Sequence, residues 1–82
     1  MITVTDLQKC VEIDVHGKKT VVPKNLVTVK ATGTNFVTLS IGNHVVCTDD
    51  YYNFDGGYPS ANDVVDGISS ILYNNSNLLY TD

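Results

Sequence analysis

The chain has 82 residues, with five lysines, no arginine, nine acidic residues and a net charge of −4. That is enough for one domain, whose single core covers roughly 60% of the unfolded surface. A hydrophobic fraction of 43% with 17% charge excludes disorder, and no run of about eighteen apolar residues is present to span a bilayer.

The position of the charge says more than its sum. The first thirty residues hold all five lysines against three acids (+2), whereas from Ala31 onward six acids stand without a base (−6). Phosphate backbones are bound by clustered Lys and Arg, so nucleic acid is not an expected partner. The opening "MITVTDLQKCV" has no charged n-region before a long apolar stretch, and no secretory signal is expected.

Taken in order, the first half reads as strands. "ITVT" alternates, with Ile2 and Val4 on one face. In "CVEIDV", Val11, Ile13 and Val15 turn inward while Glu12 and Asp14 turn outward. His16-Gly17 suits a two-residue hairpin, which sets Val15 opposite Lys18, Asp14 opposite Lys19 and Val11 opposite Val22. Pro23 ends that ladder, and "PKN" is a connection.

"LVTVKAT" and "FVTLSI" form the clearest pair. A three-residue loop Gly33-Thr34-Asn35 places Ala31 opposite Val37 and Val29 opposite Leu39, with Asn35 taking the left-handed conformation. The outward row is then Leu26, Thr28 and Lys30 beside Phe36, Thr38 and Ser40, either an exposed face or a subunit contact. "IGNHVVCT" turns again at Gly42-Asn43, and the adjacent Val45 and Val46 suggest a strand covered on both faces. Cys10 and Cys47 each lie in an apolar run, as reduced, buried thiols do.

Beyond residue 48 the pattern changes. The stretch 49–59 is an acidic loop carrying tyrosines and a diglycine. Ser60 and Asp63 then have the spacing of a capping box, and Val64, Val65, Ile68, Ile71 and Leu72 mark one stripe of a helix over about 60–73. Asn74-Asn75 stops it, and the tail 74–82 is suited to a short edge strand or to reaching a neighbour. The expected fold is α+β: a small antiparallel meander of four to five strands with one C-terminal helix packed on a face, in one domain over 1–82.

No catalytic or metal signature stands out. Aligning Gly56 as the sixth residue of a calcium loop puts Tyr51 first and Asn62 last, where carboxylates are needed. His16, His44, Cys10 and Cys47 lack zinc spacing. Cys47 follows His44 by three residues, which on a regular strand points them to opposite faces. Neither an enzyme nor a cofactor is expected. The tyrosines are more suggestive, because Tyr among small polar neighbours is the composition of adaptable protein-binding surfaces. The candidate contact residues are Asp49, Asp50, Tyr51, Tyr52, Asp55 and Tyr58.

The stretch "VPKNLVTVKATGTNFVTLSIGNHVVCTDD", a Thr/Val/Asn-rich meander feeding a short helix, resembles the small accessory and structural proteins of tailed bacteriophages. That resemblance implies a non-enzymatic virion structural or decorating role as an oligomer, located in the virion or the host cytoplasm. The expected partner is another protein or a second copy, with no membrane involved. The alternative expectation is a small acidic inhibitor that occupies a basic groove of a host or defence enzyme.

Overall fold

The computed structural model describes residues 1–73. Six strands make two antiparallel three-stranded sheets. The first holds β1 (Ile2–Asp6), β2 (Cys10–Val15) and β3 (Lys18–Pro23) in that order; the second holds β4 (Val27–Thr32), β5 (Phe36–Ile41) and β6 (His44–Asp50). Helix α1 (Ala61–Tyr73) packs chiefly on β4 and also touches β1 and β5. The α+β class and the packed C-terminal helix are as expected, but among the described residues the strands number six and divide into two sheets. Pro23 is the reason for the division. It closes β3, and Lys24–Leu26 form a single 3-10 turn that redirects the chain before β4.

The registers follow the alternation of the sequence. Val11 faces Val22, Asp14 faces Lys19 and Val15 faces Lys18. Ala31 faces Val37 and Val29 faces Leu39. His16 and Gly17 both have positive φ (51° and 97°), the twist that a two-residue hairpin of this kind requires. At the next hairpin the left-handed residue is Gly33 (φ 66°) rather than Asn35. Asn35 is held in line with the β5–β6 ladder, because its carbonyl accepts the Tyr51 N–H at 2.8 Å.

The double valine of β6 has a different cause from the expected two-sided cover. Ser40 pairs with Val45 and Leu39 with Cys47, so Val46 is the extra residue of a β-bulge. The bulge resets the alternation, leaving Val45 exposed while Val46 and Cys47 pack against the core. It also places His44 and Cys47 on one face, opposite Ile41 and Leu39, where a regular strand would have separated them.

One core unites the three layers. Ile2, Val11 and Ile13 come from the first sheet, Val37 and Leu39 from the second, and Ala61, Val64, Ile68 and Leu72 from the helix. The stripe begins a turn earlier than the sequence suggested, at Ala61, with Val65 and Ile71 only half-buried. Two polar side chains are buried as well. Lys24, read as part of a connection, is 6% exposed and pairs with Asp6 at 2.6 Å. Thr38, read as outward, is also 6% exposed; its hydroxyl bonds Thr32 (2.8 Å) and Thr48 (2.9 Å) across three strands.

The helix starts where its cap requires. Ser60 Oγ accepts the Asp63 N–H at 3.3 Å and donates to Asp63 Oδ2 at 2.7 Å. The described helix runs through Tyr73; the expected stop at Asn74-Asn75 and the tail 74–82 lie outside the described residues. Among the described residues no helix is long and apolar enough to cross a membrane.

Candidate contact surface around the acidic loop

Asp49 and Asp50 end β6, and a single 3-10 turn, Tyr51–Asn53, carries the chain toward the first sheet. There Phe54 forms a parallel bridge with Ile2, and the Asp55 N–H donates to the Ile2 carbonyl at 2.8 Å. Phe54 is itself buried. The loop therefore stitches the two sheets together before it reaches the helix.

Asp49 is the centre of a second stitch. Its position opposite Val37 turns the carboxylate toward the β2–β3 hairpin, where His16 Nε2 donates to Oδ2 at 2.8 Å. The other carboxylate oxygen accepts from Asn53 Nδ2 (2.7 Å) and from the Asp50 N–H (2.8 Å). With its Nε2 proton given to Asp49, His16 keeps Nδ1 as an acceptor, and the Met1 nitrogen lies 2.9 Å from it. The His16 hydrogen bond, then that of Asn53, holds the Asp49 carboxyl below its ordinary value of 3.8 despite partial burial. No sequence signal announces this pair, because 33 residues separate its members.

The remaining candidates divide into inward and outward groups. Tyr51 is half-buried against the core and meets Tyr52 edge-on, with ring centroids 5.8 Å apart. Tyr52 is 66% exposed, and Asp55 is exposed beside it on the loop. Asp50 is half-buried, and its Oδ1 has no hydrogen-bond partner. Tyr58 turns in, its ring set against two glycines. A Cβ added at Gly56 or at Gly67 would stand 2.7 Å from that ring. Gly56 of the diglycine and the helix glycine Gly67, unassigned by sequence reasoning, thus make one slot for one tyrosine.

Beside this loop a cleft of about 140 Å³ opens between β1 and α1, lined by Ile2, Val4, Phe54, Tyr58, Ile68 and Ile71 among others. A drug-sized ligand needs roughly 300 Å³ or more, so the cleft takes one side chain rather than a substrate. Asp49 is committed to His16 and Asn53, and among the described residues no three His, Cys, Asp or Glu side chains gather where an ion could sit. Cys10 and Cys47 are both free thiols and are half-buried rather than buried. Burial, helped by the nearby Asp49 charge, pushes the Cys47 thiol up, which suppresses its thiolate. Of the six candidates, the exposed ones are Tyr52 and Asp55. The chain matches no family model, no curated protein and no solved structure.

Proposed function

We propose that the protein is a non-enzymatic interaction module that works by self-association, as a structural or decorating component of a virion. The observation that carries this reading is the amount of apolar surface left outside a small core. Leu7, Val21, Leu26, Phe36, Val45 and Tyr52 are all exposed. So many large exposed apolar side chains on so small a body suit a chain that is completed by contact with others. Resemblance to phage accessory proteins supplies the setting. Sedimentation velocity over micromolar to millimolar protein, with negative-stain microscopy of the fractions, tests it. A defined oligomer, as rings or tubes of uniform width, is the expected result; a monomer throughout overturns the reading.

The inhibitor reading is favoured by one feature. Asp55, Asp63 and Asp66 all expose their side chains in the same lysine-free third of the chain. A one-signed surface steers association with a basic partner, and that association weakens with salt. Salt-insensitive capture by a basic groove, unchanged in a variant with those three residues replaced by Asn, would remove this alternative.

A further inference from the structure

One edge of the first sheet is open and the other is not. On β1 the outward groups of Ile2 are already engaged, by the parallel bridge to Phe54 and by the Asp55 N–H. On β3 the two-residue hairpin makes Val15 and Lys18 a hydrogen-bonded pair, so Lys18, Thr20 and Val22 turn their backbone groups to β2. Those of Lys19 and Val21 turn outward, and among the described residues nothing pairs with them. Pro23 falls on the same outward phase, where its missing N–H costs no ladder bond. The space beside the strand is open as well. Lys18 and Thr20 share the core side of the sheet with Val15 and Ile13 yet are exposed, so neither the second sheet nor the helix covers them.

We propose that the β3 edges of two copies pair antiparallel about a twofold axis, with Thr20 opposite Thr20. This rests on the self-association reading above and names a contact that serves it. The outward phase admits few registers, and the residues on it select one. Setting Lys19 opposite Lys19 puts like charges directly across from each other. Setting Val21 opposite Val21, or opposite Pro23, turns a β3 carbonyl onto the proline, which has no N–H to give. With Thr20 on the axis, Lys19 of each copy lies opposite Val21 of the other. The N–H and carbonyl of both residues then find partners in both copies. The strands of the two copies join into one sheet, ordered β1-β2-β3-β3-β2-β1, with both cores on the same side of it.

Charge favours the same register. Within one chain Asp14 faces Lys19, whereas Glu12 faces Thr5 and Val21 and has no lysine directly across from it. Across the axis the outer row reads Glu12, Val21, then Lys19 and Asp14 of the second copy. Lys19 stands about 10 Å from that Glu12, two interstrand spacings, and its stem runs over Val21 to bring the ammonium to the carboxylate. Val21, 56% exposed in the single chain, is covered in the process. The two Lys19 residues are diagonal neighbours, each set between its own Asp14 and the Glu12 of the other copy. The lysines and Pro23 that keep β3 from pairing indiscriminately are thus matched by a second copy of the same edge. The β6 edge is interrupted by its bulge, and β4 is the strand that the helix chiefly packs on. An isologous contact closes on itself, so larger assemblies are built of such pairs through another surface.

Lys19→Glu and Glu12→Lys test the contact as two separate variants. Each alone sets like charges across the axis, and sedimentation velocity is expected to show association weakened by about tenfold or more. Mixed in equal amounts, the two variants restore a match at both ends of the contact, and association is expected to return toward the wild-type level. No effect within a single chain produces that recovery. Val21→Pro removes an outward N–H without touching the β2–β3 ladder and is expected to weaken association as well. Circular-dichroism melting checks that each variant is folded; should Val21→Pro unfold, the mixture decides alone, and should a charge variant unfold, Val21→Pro decides. A wild-type chain that associates while the folded variants associate equally well, or fail to recover on mixing, overturns this contact and leaves the self-association reading standing. A wild-type chain that stays monomeric overturns both.

Discussion

Lys24 and Asp49 are the two charged residues on which the most rests, and they respond differently to change. Lys24 keeps 5% of its side chain exposed and faces Asp6, which keeps 35%. Removing the carboxylate leaves an ammonium in the interior without its counter-ion, whereas removing the lysine leaves a carboxylate that water can reach. Asp6→Ala is therefore expected to cost about 2–4 kcal/mol and Lys24→Met clearly less, since broken buried pairs are costly and apolar replacements of them often are not. Denaturant unfolding of the two variants measures the difference, and equal losses would contradict it. Asp49 acts through pH. Its carboxyl is held below 3.8 in the folded chain, mainly by the His16 hydrogen bond. A lowered folded value contributes stability that is fully present above the unfolded value and is lost as pH falls through the folded one. Asp49→Asn is thus expected to melt below the wild type near neutrality, with the gap closing as pH drops below 3.8. A gap that persists unchanged in strong acid would mean that the carboxylate charge contributes nothing.

Elements carry what single residues do not, and here the legible and the hidden parts of the sequence separate. Strand faces and registers were legible because they depend on alternation within a few residues. Val11 against Val22 and Val29 against Leu39 both follow from a period of two and a loop length. The bulge was not legible, since one inserted residue and a doubly covered strand leave the same Val45-Val46 pair. Nor was the His16–Asp49 clasp, whose members meet only after both sheets have closed. Four of the six loop candidates, Asp49, Asp50, Tyr51 and Tyr58, are half-buried although they read as surface residues, because polar and aromatic composition does not reveal direction. Tyr58 gives an element-scale prediction. In an ordinary helix interior Gly→Ala gains about 1 kcal/mol, but a Cβ at Gly67 would meet the Tyr58 ring at 2.7 Å. Gly67→Ala is expected to lower the melting temperature of the wild type and to raise that of a Tyr58→Ala variant. This change of sign in the double-mutant cycle is the measurement; additive effects would show that the slot is not a fit.

At the scale of the molecule the question is whether two sheets joined by one short turn behave as one unit. Either sheet alone, with three strands and one apolar face, has little to bury that face against except the other sheet and the helix. The core draws Ile2, Val11 and Ile13 from one sheet and Val37 and Leu39 from the other, with α1 laid across them. The loop adds the Ile2–Asp55 and His16–Asp49 stitches between the same bodies. Ile68 is 3% exposed and touches the cleft between α1 and β1, so it reports on this union. Ile68→Ala is expected to cost about 2–5 kcal/mol, the range for truncating a buried aliphatic side chain. If the core is shared, amide exchange in the central strands β2 and β5 speeds up by the same factor, and backbone and tyrosine signals melt together. If the sheets are separate units held side by side, β2 and β5 lose protection by different factors. Equal loss is the expected outcome, because Val11 and Ile13 of β2 and Val37 and Leu39 of β5 belong to the one buried cluster that Ile68 joins.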